Sequence, residues 1–180
     1  MEINSPVLKV ETKKIDPMKI FLAIVASLYF LWAVIFPGTF RFIDYINLVF
    51  HEAGHIVFFP FGYFMRIAGG TILQILIPIA CALYFLFRKR FFAFSLLLFW
   101  VGESCLNVSV YAADARLRQL PLLGGDNTDH DWNIILSQLL VLDHTAAIAA
   151  AIRIAGTMVI FAAAYFSFKN ATAITRVAKI

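Results

Sequence analysis

Residues 71–87 read TILQILIPIACALYFLF, the basic triplet Arg88-Lys89-Arg90 follows, and residues 91–114 read FFAFSLLLFWVGESCLNVSVYAAD. The first run has no charge and the second carries only Glu103 and Asp114. Each has about the length of helix needed to cross a hydrocarbon core roughly 30 Å thick. In lipid a backbone must satisfy its own hydrogen bonds, so both runs are predicted as helices, joined by a tight basic turn into a membrane hairpin. Outward from this pair, Ile20–Phe36 and Ala146–Phe168 have the same character. Ile43–Phe59 and Asp131–Leu142 are apolar but shorter and carry polar residues, so they are predicted as helices that dip into the bilayer or lie along it. The expected fold is all-α, a polytopic membrane bundle of about four spanning helices and two shorter re-entrant or interfacial ones. Residues 1–18 form a polar N-terminal segment, 19–168 a single membrane-embedded domain and 169–180 a basic tail.

Composition agrees. Of the 180 residues, 62% are hydrophobic and 14% charged, with mean hydropathy +0.84, against about 25% charged in an ordinary soluble domain. The first apolar run lacks a small-x-small cleavage site and further membrane-grade runs follow it, which argues against a signal peptide. Cys81 and Cys105 both lie inside apolar runs, where a thiol packs as a small hydrophobe, so they give no reading of redox compartment. The pI near 9.2 does not indicate nucleic acid, because the basic residues sit at the edges of apolar runs and form no stripe with interleaved aromatics. Ten of the fifteen Lys and Arg fall in three groups: Lys9, Lys13, Lys14 and Lys19; Arg88, Lys89 and Arg90; Lys169, Arg176 and Lys179. Cytoplasmic placement of all three closes a four-span topology with both termini inside. The connections 38–70 and 115–130 then share the opposite, non-cytoplasmic side.

Those two connections hold most of the unusual polar residues. His51-Glu52-Ala53-Gly54-His55 is an HExxH motif. On a helix, positions i and i+4 share a face, so both imidazoles can bind one zinc while the Glu between them reaches its open coordination position as general base. That is hydrolytic chemistry. The competing reading is a set of structural polar contacts, but ionisable groups within a membrane are expensive and usually functional. A di-iron histidine-box site needs more histidines than the four present.

A catalytic zinc normally takes three protein ligands. The third is sought in Gly124–Trp132, with His130 preferred, Asp131 next as ligand or as the carboxylate orienting an imidazole, and Asp126 and Asp114 as further candidates. The alternative for Asp126, Asp129 and Asp131 is helix capping and first-turn charge. Glu103, Asn107, Tyr111 and Asp114 recur at spacings of four, four and three and draw a polar stripe along one helix. Such a stripe lines a water path or holds substrate backbone, Asn107 and Tyr111 above all, or else bonds helix to helix. Arg153 needs Glu103, Asp131 or Asp143 as a partner, or must snorkel. His144 is expected in a loop.

An HExxH helix in a small membrane protein, followed by the Gly- and Pro-punctuated stretch Pro60–Gly70 and another membrane segment, resembles the site-2 protease family of intramembrane zinc metalloproteases. The resemblance covers roughly Asn47–Gly70, and the rest only in outline. It implies His51 and His55 as zinc ligands, Glu52 as base, and an extended segment including Gly62 that pairs with an unwound substrate. In that family the third ligand is an Asp of an LDG-type motif on a later helix, whereas Leu120–Asp126 places its Asp after the glycines. The whole chain looks most like a small bacterial branch of such proteins, implying the bacterial cytoplasmic membrane and a membrane protein or peptide as substrate. Two further readings stand beside the protease: a metal-stabilised chaperone or accessory subunit without proteolysis, and a hydrolase of a membrane amide or lipid.

Overall fold

The computed structural model describes residues 8–121, 123 and 129–179, with 8–13 and 173–179 by backbone alone. It is a membrane helical bundle. The helices are α1 (Pro17–Ile35), α2 (Phe42–Val57), α3 (Tyr63–Phe87), α4 (Phe91–Ala113), α5 (Asp131–Gln138) and α6 (Thr145–Lys169), with 3-10 turns at Phe59–Phe61 and Leu142–His144. Helices α1, α3, α4 and α6, the last with its preceding turn, are long and apolar enough to cross a membrane. Their outer faces carry exposed Phe21, Leu28, Leu76, Tyr84, Met158 and Phe161, side chains suited to lipid tails and unsuited to water.

The core is small and tightly apposed. Ala33, Phe99, Leu106, Ile160 and Ala163 are buried together between α1, α4 and α6, and Phe30 stacks on Phe99 with ring centroids 5.1 Å apart. Helices α4 and α6 make the most extensive contact, and they cross at Gly102 and Gly156. A Cβ on Gly102 would lie 2.6 Å from Ile160 Cγ1 and 2.8 Å from the Gly156 carbonyl oxygen, so backbone-to-backbone approach there requires the small residues.

Helix α2 has its polar side inward. Asp44, Asn47, His51 and Gly54 are buried, while Phe42, Tyr45, Val49 and Ile56 are exposed. The buried residues are spaced three, four and three apart, one helical face. An apolar outside and a polar inside is the pattern of a helix set in lipid. Its 16 residues reach only about 24 Å, short of a full crossing. Helix α2 packs antiparallel on α3 through a seam of glycines: a Cβ on Gly54 would collide with the Gly69 carbonyl, and one on Gly69 would lie 2.7 Å from the Gly54 oxygen.

The expected extended stretch at Pro60–Gly70 is not extended. Residues Phe59–Phe61 form a 3-10 turn, Gly62 at φ +94° makes the single break, and α3 begins at Tyr63 instead of Thr71. The Gly69-Gly70 doublet that reads as loop punctuation is the seam with α2. Helix α5 stops at Gln138, and Leu140 turns the chain with positive φ. Residues Leu8–Ile15 (β1) and Thr172–Lys179 (β2), expected as plain polar and basic flanks, pair antiparallel, Leu8 opposite Lys179 and Ile15 opposite Thr172. Their junction is held by Asp16 N–H donating to the Ala171 carbonyl at 3.1 Å. Arg153 meets none of the expected carboxylates; it is exposed and extends to the Val34 carbonyl at the end of α1, 3.5 Å away. His144 lies exposed in the turn before α6.

Candidate metal centre

The packing of α2 on α3 and of α5 across α4 brings His51, His55 and Asp131 together. Their ligand atoms lie within 4.8 Å of one another. Nε2 of His51 is 2.8 Å and Nε2 of His55 3.3 Å from the same oxygen, Oδ2 of Asp131. Ligand atoms of a tetrahedral zinc, each roughly 2.0–2.1 Å from the metal, stand about 3.3 Å apart, so the spacing suits one ion among the three. His51 and Asp131 are buried, and His55 is partly exposed toward a cavity.

The opposite ring nitrogens are committed. Nδ1 of His55 donates to the Arg66 carbonyl at 2.9 Å, and Nδ1 of His51 lies 3.1 Å from Oε1 of Gln74. A carbonyl oxygen only accepts, so His55 carries its neutral-state hydrogen on Nδ1 and its Nε2 lone pair faces Asp131. The Nε2 lone pair of His55 and the Asp131 carboxylate oxygen repel each other unless a cation sits between them. Metal-ligating histidines are oriented by such outer hydrogen bonds. The same attraction for positive charge acts on His55 itself: the hydrogen bond to Asp131 raises its pKa against the opposing effect of burial. For Asp131, burial pushes the carboxyl up, but the bonds from His51 and His55 outweigh it and leave it below its ordinary value.

His130 is turned away from the pair. Its Nε2 lies 3.3 Å from Oδ2 of Asp114, and its Nδ1 accepts from the Asn133 N–H at 3.3 Å, capping α5. Both its nitrogens are engaged there, and burial lowers its pKa despite the neighbouring Asp114. Asp114 also accepts from the backbone of Gln119 and Leu120, both at 2.9 Å, and so organises the connection leaving α4. Asp126 lies outside the described residues. Asp131 occupies the third corner as the first residue of α5.

All four members of the α4 stripe face the interior. Glu103, with no exposed surface, accepts from Asn47 Nδ2 at 2.6 Å and lies 3.6 Å from the Arg41 guanidinium. Asn107 bonds Gln74 and Asp44, both at 2.8 Å. The Tyr111 hydroxyl accepts from the Asp131 N–H at 3.1 Å, and its ring lies against His51 and His130. Glu103, Asn107 and Tyr111 each bond to another helix, Asp114 bonds the connection after α4 and the His130 cap of α5, and Asn107 and Tyr111 also line the cavity.

That cavity has a volume of about 1030 Å³ and opens beside the cluster. Glu52 is exposed into it next to both histidines, and Leu48, Ile56, Phe59 and Ile67 give it apolar walls. The non-helical Pro37–Phe40 lines its far side. Gly62 does not line it; it is exposed at the start of α3. Residues that sequence reasoning missed surround the motif: Gln74, Asp44, the Arg66 carbonyl, and Gly70, where a Cβ would lie 2.7–2.9 Å from the His51 ring. Only the isolated polarity of Gln74 within an apolar run gave any signal.

Fold and site together define a class, a helical membrane protein with a two-histidine, one-carboxylate cluster at the bundle end away from Arg88–Arg90. Compared with family models, curated proteins and solved structures, the chain matches none.

Proposed function

We propose that the chain is a zinc-dependent intramembrane protease that hydrolyses a peptide bond within or next to a transmembrane segment. The observation that carries the reading is the convergence of His51 Nε2, His55 Nε2 and Asp131 Oδ2, beside a carboxylate, Glu52, that is free to face a cavity. The HExxH spacing and its resemblance to site-2 proteases point the same way. Bound by these three residues, zinc would supply Lewis-acid chemistry, polarising a substrate carbonyl and acidifying water.

The protein's own groups supply the rest. Glu52 takes the proton of the attacking water on its carboxylate and delivers it to the leaving amide nitrogen. Tyr111, whose oxygen accepts from the Asp131 N–H, keeps its own hydroxyl hydrogen free to donate to the substrate carbonyl oxygen as charge develops there. The apolar walls admit a membrane peptide, and the α1–α2 connection beside the cavity takes the place that the α3 start was expected to fill. Helical peptide bonds are shielded, so the substrate is one whose helix unwinds near that end. By the positive-inside rule, the termini and Arg88–Arg90 lie in the cytoplasm of a bacterium and the site faces the other side.

The test is purified protein in detergent or vesicles with a panel of membrane peptides and, separately, lipids. Peptide cleavage by wild type, with loss of at least about 10²-fold in Glu52→Gln at unchanged metal content, is the expected result. Cleavage surviving in Glu52→Gln would remove the proposed base. Peptide binding without cleavage in either form would favour a chaperone or accessory role instead.

A further inference from the structure

The HExxH helix leaves one feature of the cluster unexplained, the means by which His51 is kept in a metal-ready form. His55 is fixed by a backbone carbonyl, whose orientation is invariant. His51 is paired with a side-chain amide, which can present either oxygen or nitrogen, so the geometry alone does not fix its tautomer.

The amide's orientation is set by what lies behind it. One oxygen of Asp44, Oδ2, accepts the Arg41 N–H at 2.6 Å and lies 3.7 Å from the Arg41 guanidinium, and the other, Oδ1, is turned toward Asn107 as an acceptor. Facing it at 2.8 Å, Asn107 must present Nδ2, which turns Oδ1 of Asn107 toward Gln74. Gln74 must then present Nε2 to that oxygen, also at 2.8 Å, and Oε1 to Nδ1 of His51 at 3.1 Å. The chain Asp44–Asn107–Gln74–His51 runs through α2, α4 and α3 and back to α2. Asp44 and Gln74 are 2% and 3% exposed, so water has little access to replace a lost member. Gly70 completes the seat, because the His51 ring occupies the space a side chain there would fill.

We infer that Gln74, oriented by Asn107 and Asp44, is a positioning residue that holds His51 in the Nδ1–H tautomer and directs its Nε2 lone pair at the point shared with His55 and Asp131. The inference rests on the metal-site reading above. It assigns a function to the buried polar side chains of α3 and α4 beyond helix association: a carboxylate nearer the start of α2, the helix that carries His51, sets the proton position on that ligand through two neutral amides on neighbouring helices.

The experiment measures Zn²⁺ and Co²⁺ affinity by chelator competition, with the visible absorption of the Co²⁺ form, for wild type, Gln74→Leu and Gln74→Glu. Gln74→Leu removes the acceptor and is expected to weaken binding about 10–100-fold and to change the Co²⁺ spectrum. Gln74→Glu keeps an acceptor toward Nδ1 and is expected to stay within a few-fold of wild type. Where Gln74→Leu fails to fold, Gln74→Met carries the same prediction. Wild-type affinity and spectrum in the apolar variant would overturn the inference and leave the metal site standing. Failure of wild type itself to take up either ion would overturn both.

Discussion

His51, Glu52 and His55 were legible because a helix converts the spacing of four into one face, whatever packs against it. The third corner was not. His130 and Asp131 are adjacent, and which of them meets the pair depends on where α5 begins and on the engagement of His130 by Asp114, a contact between residues sixteen apart. Gln74 and Gly70 were invisible for a related reason, since each acquires its role only when α2 lies against α3. The seat at Gly70 makes a sharp prediction. Gly70→Ala places a methyl group in the His51 ring position, and metal affinity measured by chelator competition is expected to fall at least about tenfold; an unchanged affinity would show that the ring can shift without loss. Tyr111→Phe tests the other wall. It is expected to keep the metal and lower kcat about 10²-fold, and full turnover would remove the hydroxyl from the reaction.

Among elements, the four long runs announced themselves by length and apolarity, and Phe91–Ala113 ends within a residue of its sequence boundary. The error lay at Pro60–Gly70, where glycines and a proline suggested an extended chain. Only Gly62 breaks the backbone there; Gly69 and Gly70 are helix-packing residues, and sequence does not distinguish a glycine that bends a chain from one that admits a neighbouring helix. The α4–α6 crossing has the same character. Gly102→Leu would drive a side chain into Ile160 and the Gly156 carbonyl, an overpacking expected to cost about 1–3 kcal/mol. Thermal unfolding in detergent should show a lowered Tm, and a midpoint equal to wild type would mean that the two helices can separate freely.

In the whole molecule, an apolar exterior surrounds a polar seam running from Arg41 and Glu103 to the cluster of His51, His55 and Asp131, and charge placed inside a membrane is usually functional. The bundle places the cluster and the Arg88–Arg90 turn at opposite ends, which predicts sidedness. In a chain with Cys81 and Cys105 replaced by Ala, a cysteine at Lys89 and one at Leu140, the latter 92% exposed, should react with an impermeant thiol reagent from opposite faces of the membrane. Labelling of both from one face would refute the topology. The account depends above all on an ion joining α2 to α5, and metal content per purified chain tests it most directly. Wild type and His130→Ala are expected to carry one zinc each, and His51→Ala and Asp131→Ala little or none. A wild type free of metal, or a site emptied by His130→Ala and untouched by Asp131→Ala, would contradict it.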